Sequence, residues 1–410
     1  MKGQLMLSLH VKNPAAEELF RYGAVVAQKL VTANSSGQIT CFQWKQDQII
    51  SGTTTGSLEL RQINWRSTWE QELPLSECLK VFEGHEGSVL CCQWQGNQLI
   101  SGGFDGRVLI WDLYLGTLKQ QLTDHAGAVN CLEWIDNNLI TGSQDMTVKV
   151  WSLDTFTCVH TLCGHTAGVR CLQWVGLPVL ITGSWDATIR LWNLTTRECV
   201  QVLQTSSVVR DLHLSGPNLV AGGNDGCLSF WKLQGSSAEF VRRWKAHSLW
   251  VNCVLLQGHT IVSGSQDGTI KVWDLDSGDS TRPLLTPSSL VQESSLVSGV
   301  KVTCCHWESN FLVAGLSDTR ICIIEFGDSC TAAASNKKAE PTGTAKRLPE
   351  TATSHTCFLS TAEQETLPLS TNSSSGNVAV QADSSKCLHQ DSQGLHSATS
   401  TDSHKRQRLL

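Results

Sequence analysis

The sequence predicts an all-β fold, a seven-bladed β-propeller, on three observations. A unit of about forty residues recurs along the chain. Each copy holds three short runs of strand chemistry, and a fourth such run leads into the next copy. Gly, Asp and Asn fill the gaps between runs, where the chain must turn.

The copies follow one another in order. A degenerate first copy starts at Ile39 (ITCFQWKQDQIISGTTTGSLELRQI). The clearest copy runs from Leu79 to Leu113 (LKVFEGHEGSVLCCQWQGNQLISGGFDGRVLIWDL) and recurs from Leu118 and from Cys158. A weaker one runs from Cys199 to Leu233, and another from Val241 to Leu275. The last, VTCCHWESNFLVAGLSDTRICIIEF from Val302, is again degenerate. Runs such as VRCLQW, VLITGS and TIRLWNL are too short for helices and rich in β-branched and aromatic residues, so they read as strands.

Blades two, three, four and six repeat four residues at fixed offsets. These are His85, Ser101, Asp105 and Trp111; His125, Thr141, Asp145 and Trp151; His165, Thr182, Asp186 and Trp192; and His247, Ser263, Asp267 and Trp273. With its GH and WD-like pairs, the chain resembles the WD-repeat family over residues 24–326. The resemblance implies a hydrogen-bonded chain in which Asp holds His, His reaches the hydroxyl and the hydroxyl meets the Trp N–H. A set that repeats in every regular blade reads as structural rather than catalytic, because it satisfies buried polar groups.

The other blades depart from the pattern. Blade five keeps Asp225 and Trp231 but has Thr205 and Ala221 at the His and hydroxyl sites. Blade seven keeps Asp318 but has Ala314 and Ile324, and blade one has Ser51, Thr55 and Arg61. Irregular first and last blades belong at the ring closure, where an open edge must be paired. Residues 27–32 are therefore expected to supply the outer strand of blade seven.

Composition bounds the function. The 410 residues carry a formal net charge of −6, which argues against broad attraction to nucleic acid. No apolar run approaches the length of a membrane span, and the N-terminal MKGQLMLSLHVKNP lacks a secretory signal pattern. Of 17 cysteines, Cys41, Cys91, Cys131, Cys171, Cys253 and Cys304 occupy one position in six repeats, and Cys92 and Cys305 follow directly. There is no CxxC, so zinc spacing is missing. The thiols read as small buried hydrophobes, which implies a reducing compartment, cytoplasmic or nuclear. No nucleophile elbow, P-loop or metal cluster is present, so the expectation is a protein that is not an enzyme and carries no cofactor or metal.

Four segments lie outside the pattern. Residues 65–77 and 280–298 read as polar insertions. Residues 1–23 read as an N-terminal extension. From Gly327 the chain turns rich in Ser and Thr, and residues 327–410 are expected to be a disordered tail. Its end, His404-Lys405-Arg406-Gln407-Arg408, is a candidate nuclear import signal.

A propeller partner is expected on the face around the channel mouth. The start of each inner strand reads Thr40, Leu90, Asn130, Arg170, Arg210, Asn252 and Thr303, so two adjacent blades aim arginines at one edge. The residue before the motif Asp reads Thr54, Phe104, Gln144, Trp185, Asn224, Gln266 and Ser317. Just ahead of the inner-strand series, Trp250 stands where other blades have Ser88, Ala128 and Gly168. The candidate partner-binding residues are therefore Arg170, Arg210, Trp185, Trp250 and Phe104. Arginine and aromatics anchor interfaces, and paired guanidiniums suit a carboxylate or phosphate. The bland alternative is that the arginines pair with a local acid such as Asp211.

The segments CVHTLCGHTAGVRCLQW and SWDATIRLWNLTTRECVQVL are most similar to the F-box/WD subfamily, substrate receptors of ubiquitin ligases. That resemblance implies that arginines at inner-strand starts read phosphorylated peptides, and Arg170 and Arg210 match. Trp185 departs from it, standing where a related receptor has arginine. No F-box is visible, because the first 38 residues are too short to form one. The expected function is a non-catalytic scaffold or recognition subunit of a multiprotein complex that binds a protein or peptide, acidic or phosphorylated. Nucleic acid and membrane are not expected partners. The alternative is a substrate-recognition component, or fragment, of a ubiquitin ligase.

Overall fold

The computed structural model describes residues 24–32, 37–45, 47–63, 76–176, 178–285, 299–308 and 311–327. Every regular element among them is a β-strand. Strand β1 (Ala24–Thr32) comes first. Blade one is β2 (Ile39–Lys45), β3 (Gln48–Thr53), β4 (Ser57–Ile63) and β5 (Ser76–Glu83). Blade two is β6 (Val89–Gln95), β7 (Gln98–Gly103), β8 (Val108–Asp112) and β9 (Thr117–Leu122). Blade three is β10 (Val129–Ile135), β11 (Asn138–Ser143), β12 (Val148–Ser152) and β13 (Thr157–Leu162). Blade four is β14 (Val169–Gly176), β15 (Val179–Ser184), β16 (Thr188–Asn193) and β17 (Glu198–Gln204). Blade five is β18 (Val209–Ser215), β19 (Asn218–Gly223), β20 (Cys227–Gln234) and β21 (Ser237–Lys245). Blade six is β22 (Val251–Gln257), β23 (Thr260–Ser265), β24 (Ile270–Asp274) and β25 (Ser280–Leu285).

Blade seven holds the ring shut. Its strands β26 (Val302–Glu308), β27 (Phe311–Leu316) and β28 (Arg320–Gly327) are completed by β1, in the order β1-β28-β27-β26. The pairing is antiparallel, with Leu30 opposite Cys322. Closure thus falls where the sequence placed it, with the strand beginning at Ala24. The two insertions are shorter than expected. Residues 76 and 77 already belong to β5, and residues 280–285 form β25, the outer strand of blade six. Pro283 sits on that strand opposite Lys271, which an edge strand tolerates because its outward N–H needs no partner. The 1–23 extension, the rest of both insertions and the tail beyond Gly327, with its basic cluster, lie outside the described residues. No helix among the described residues is long and apolar enough to cross a membrane.

The core lies between blades, not within them. Second and third strands are buried along nearly their whole length, while outer strands such as β13 alternate between exposed and partly buried positions. Both faces of each blade's middle therefore need cover, and a neighbour supplies it. Ile140, Val148, Val150 and Leu162 of blade three pack with Val169, Trp174, Leu180 and Trp192 of blade four. Ile39, Trp44, Ile49 and Ile63 of blade one pack in the same way with Phe311, Val313, Ile321 and Ile323 of blade seven. Seven such clusters serve seven seams.

A glycine in each second strand receives the next blade. A Cβ on Gly142 would lie 2.7 Å from Val169 Cγ1, and one on Gly183 would lie 2.6 Å from Val209 Cγ1. Gly52, Gly102, Gly222 and Gly264 stand in the same relation to Val89, Val129, Val251 and Val302. Gly315 receives Ile39 in the closing seam. Each β-branched residue is thus a knob in a glycine-floored hole. Burying one such side chain contributes roughly 1.5–3 kcal/mol.

Polar stitches run beside the knobs. The Gln43 side-chain carbonyl accepts from the Trp94 backbone N–H, and Gln93 does the same for Trp134. In the next seam a carboxyl takes the carboxamide's place: Glu133 accepts from the Trp174 N–H and from Gln173 Nε2. Burial pushes the Glu133 carboxyl up to about 7. An acid raised in the folded state favours folding below its unfolded value, roughly 4.3. That contribution is lost as pH rises through the folded value.

Glu133→Gln should therefore keep the stitch and remove the titration. Equilibrium unfolding is expected to show the variant more stable than wild type at pH 8 by on the order of 2 kcal/mol, with the difference vanishing only near pH 4. Equal pH dependence in the two proteins would contradict this.

Candidate functional site

The polar network forms in the four regular blades. In blade two, His85 Nδ1 lies 3.0 Å from Asp105 Oδ2, His85 Nε2 lies 2.8 Å from Ser101 Oγ, and Trp111 Nε1 donates to Ser101 Oγ at 2.9 Å. The corresponding distances are 2.7, 2.7 and 2.8 Å in blade three. They are 2.8, 2.8 and 2.8 Å in blade four, and 3.2, 2.7 and 2.8 Å in blade six. The carboxylate sets the direction of the chain. His Nδ1–H donates to Asp, so Nε2 accepts from the hydroxyl, whose oxygen accepts from the Trp N–H. Burial lowers the His85 and His165 pKa values, which keeps these rings neutral. Burial alone would raise the Asp105 carboxyl, but the Glu86 N–H and the His85 ring hold it below its ordinary value. Ser101, Thr141, Thr182 and Ser263 are 0% exposed, so these hydroxyls cannot meet a substrate.

The network also builds the outer surface. Asp186 accepts from the Thr166 N–H at 3.0 Å and the Thr188 N–H at 2.9 Å. It thereby ties the loop entering the inner strand to the turn between second and third strands. One further bond joins the same loop and turn in all seven blades. Examples are Phe104 N–H to Ser88 O at 2.8 Å, Trp185 N–H to Gly168 O at 3.0 Å and Gln266 N–H to Trp250 O at 2.9 Å. Irregular blades one, five and seven keep it through Thr54, Asn224 and Ser317.

A β-bulge aims the channel residues. The register between first and second strands shifts between Ile39/Cys41, Val89/Cys91, Val129/Cys131, Val169/Cys171, Val209/Asp211, Val251/Cys253 and Val302/Cys304. The extra residues are Thr40, Leu90, Asn130, Arg170, Arg210, Asn252 and Thr303. A bulge re-aims a side chain. Here Thr40, Asn130 and Asn252 are turned to the next inner strand, bonding Val89 O, Val169 O and Val302 O.

The two arginines are held differently. Arg210 Nη1 donates to Asn224 Oδ1 at 3.2 Å, and its guanidinium stacks 4.5 Å from the Trp250 ring centroid. Arg210 Nε is buried and has no hydrogen-bond partner among the described residues. Burial, and then the charge of Arg170, pull its pKa down to about 10, so it stays cationic at neutral pH. Arg170 makes a long contact of 3.4 Å to Asn130 O. Among the described residues, neither arginine forms an ion pair with an acid. Asp211, the local acid that could have neutralised them, instead accepts from the Val254 N–H at 2.8 Å across the seam. Burial pushes Asp211 up to about 6, with Arg170 opposing.

The structure brings together four of the five candidate residues. Trp250 stacks on Arg210. Trp185 lies over Gly168, where a Cβ would meet its ring at 3.1 Å, on the loop leading to Arg170. The two indoles are 36% and 39% exposed. Phe104 is exposed but belongs to blade two, with blade three between it and Arg170. Three residues were not among the candidates. Asn224, read in the turn series but not singled out, orients Arg210, while Met146 is exposed on the corresponding turn of blade three and Leu249 on the loop before Trp250.

Blade five lacks the network. Ser206 Oγ bonds Asp225 at 2.8 Å, Arg243 pairs with the same carboxylate, and Ser207 Oγ approaches Gly223 where His85 approaches Gly103 in blade two. The missing imidazole leaves a cavity of about 10 Å³ between Thr205, Ala221 and Trp231, the space one water needs. In blade one, Arg61 replaces Trp and pairs with Glu59 at 2.6 Å. In blade seven, Asp318 holds Arg320.

A family model for the WD domain, G-beta repeat, matches residues 76–112, 116–152, 156–193, 197–232 and 238–274. Each match starts at one blade's outer strand and ends with the next blade's third strand, so together they run from the outer strand of blade one to the third strand of blade six. Among solved structures, the WD40 β-propeller domain of Doa1 is similar, with a TM-score of 0.61 and 20% identity. The alignment covers 76% of this chain and 99% of that one, and it speaks for the fold alone. No curated protein matches the chain.

Thr182→Val removes one hydroxyl at constant shape and strands both the Trp192 N–H and the His165 ring. Urea unfolding should show a loss of about 1–3 kcal/mol. A loss below about 0.5 kcal/mol would contradict the chain of bonds described.

Proposed function

Because this chain is a WD40-repeat propeller, we propose that it is a recognition subunit holding an acidic or phosphorylated peptide over the channel mouth. WD40 propellers are interaction scaffolds and in general non-catalytic. The finer reading names Arg170 and Arg210 as the anionic subsite, Trp250 and Trp185 as its aromatic walls, and Phe104 as an outlying contact. Membership of a multiprotein complex follows from that role.

One observation carries the reading. Two guanidiniums on adjacent blades point at one rim, the charge of Arg170 bears on Arg210, and neither forms an ion pair with a described acid. Leaving cations partly desolvated and unpaired is unfavourable, and an incoming anion relieves it. A carboxylate or phosphate can engage both guanidinium forks. The stack on Trp250 narrows the range of orientations open to Arg210, which reduces the ordering cost of binding. The described residues contain strands only, so nothing in them favours the ligase-receptor alternative.

The test is a fluorescence-anisotropy titration with glutamate-rich and phosphoserine peptides. Arg170→Ala with Arg210→Ala should weaken capture by about 100-fold or more and leave the thermal midpoint within about 2 °C, because their contacts to Asn130 and Trp250 are peripheral to the apolar clusters that hold the seams. Retained affinity, or a ring that no longer folds, would contradict the proposal.

A further inference from the structure

The seams place thiols in a register that the binding face does not use. In each blade the residue after the bulge leans across to the residue two places beyond the bulge in the next blade. Cys171 and Leu212 share the space above Gly183 in this way, and Asp211 meets Val254. Cys304 and Phe42 pack into the closing seam together. In two seams both positions are cysteine. Cys41 Sγ lies 3.7 Å from Cys92 Sγ, between blades one and two. Cys253 Sγ lies 3.0 Å from Cys305 Sγ, between blades six and seven. All four are free thiols.

We propose that Cys253 and Cys305 form a reversible disulfide under peroxide, a redox staple between blade six and blade seven. The pair has the proximity and the room. Gly264 has no side chain, and a Cβ there would lie 2.6 Å from Cys253 Sγ and 3.0 Å from Cys305 Sγ. The sulfurs need to close by only about 1 Å to reach bonding distance. Cys253 is 5% exposed, whereas Cys305 is partly exposed and is the member a small oxidant meets first. The Cys305 thiol and burial both raise the Cys253 pKa, so Cys253 resolves rather than initiates.

The chemistry balances with hydrogen peroxide as oxidant. The Cys305 thiolate displaces hydroxide from peroxide, giving a sulfenic acid, and the hydroxide takes up a proton to leave as water. Cys253 sulfur then attacks Cys305 sulfur. The S–S bond forms, the S–O bond breaks, and the departing hydroxide takes the Cys253 proton as a second water. Two thiols lose two electrons and two protons, and the peroxide is reduced to two waters. A dithiol reductant reverses the product by exchange. The staple would enclose the chain between Cys253 and Cys305, including the link from blade six to the closing blade. It restricts the unfolded chain most when the closed loop is long. The proposal does not depend on what the channel mouth binds.

The experiment uses the full chain, exposed to hydrogen peroxide, blocked with N-ethylmaleimide, digested without reductant and read by mass spectrometry. The expected product is a cross-linked peptide pair containing Cys253 and Cys305, formed ahead of any Cys41–Cys92 pair. The oxidised protein should melt at least about 3 °C higher, and dithiothreitol should reverse both changes. Cys305→Ala should abolish the cross-link and the reductant-sensitive shift. If that variant fails to fold, the wild-type cross-link still decides. Absence of the cross-link, whether the thiols stay free or pass to sulfonic acid, overturns the proposal, as does a cross-link that leaves the midpoint unchanged.

Discussion

Every seam of the ring rests on one close approach, the seating of a β-branched side chain from one inner strand against a glycine in the preceding blade's second strand. A single methyl at Gly183 would come within 2.6 Å of both Cys171 Sγ and Val209 Cγ1. Interiors are packed too tightly to absorb such an intrusion without moving backbone. The blades must therefore stand at one fixed separation. That separation brings the seven apolar clusters together and lets the Gln43, Gln93 and Glu133 side chains reach the next strand.

The same contact places the candidate site. Val209 and Cys171, which meet at Gly183, are the immediate neighbours of Arg210 and Arg170. The bulge then separates each channel residue from the seam residue beside it. This is why Arg210 faces Asn224 and Trp250 while Asp211, next in the chain, turns away to the Val254 N–H. A ring of seven equal blades would present the same group seven times. Here the seam is conserved from blade to blade within this one chain, and chemistry varies only at the bulge and at the turns. The polar networks of the regular blades hold those turns in place, and the shared turn-to-loop hydrogen bond does so where the network is missing.

Much of this was legible in the sequence because it repeats. Seven copies of a strand pattern, and four copies of a His, hydroxyl, Asp and Trp set, carry their own alignment, and the irregular end copies marked the closure. What escaped was what does not repeat. Residues 280–285 read as an insertion because Arg282 and Pro283 hide an edge strand. The partners of Arg210 lie on a different turn and on the next blade, so no local pattern links them. Phe104 shares the right position in its repeat but lies on the wrong blade to join the arginines. The space left by the missing imidazole in blade five has no sequence signal beyond Thr205 and Ala221 themselves.

The seam contact between blades four and five is the most direct place to test the account. Denaturant unfolding of Gly183→Ala should show a loss of at least about 2 kcal/mol, because the added methyl meets the knob and the thiol flanking the two arginines. A variant as stable as wild type would show that the glycine does not set the spacing of the blades.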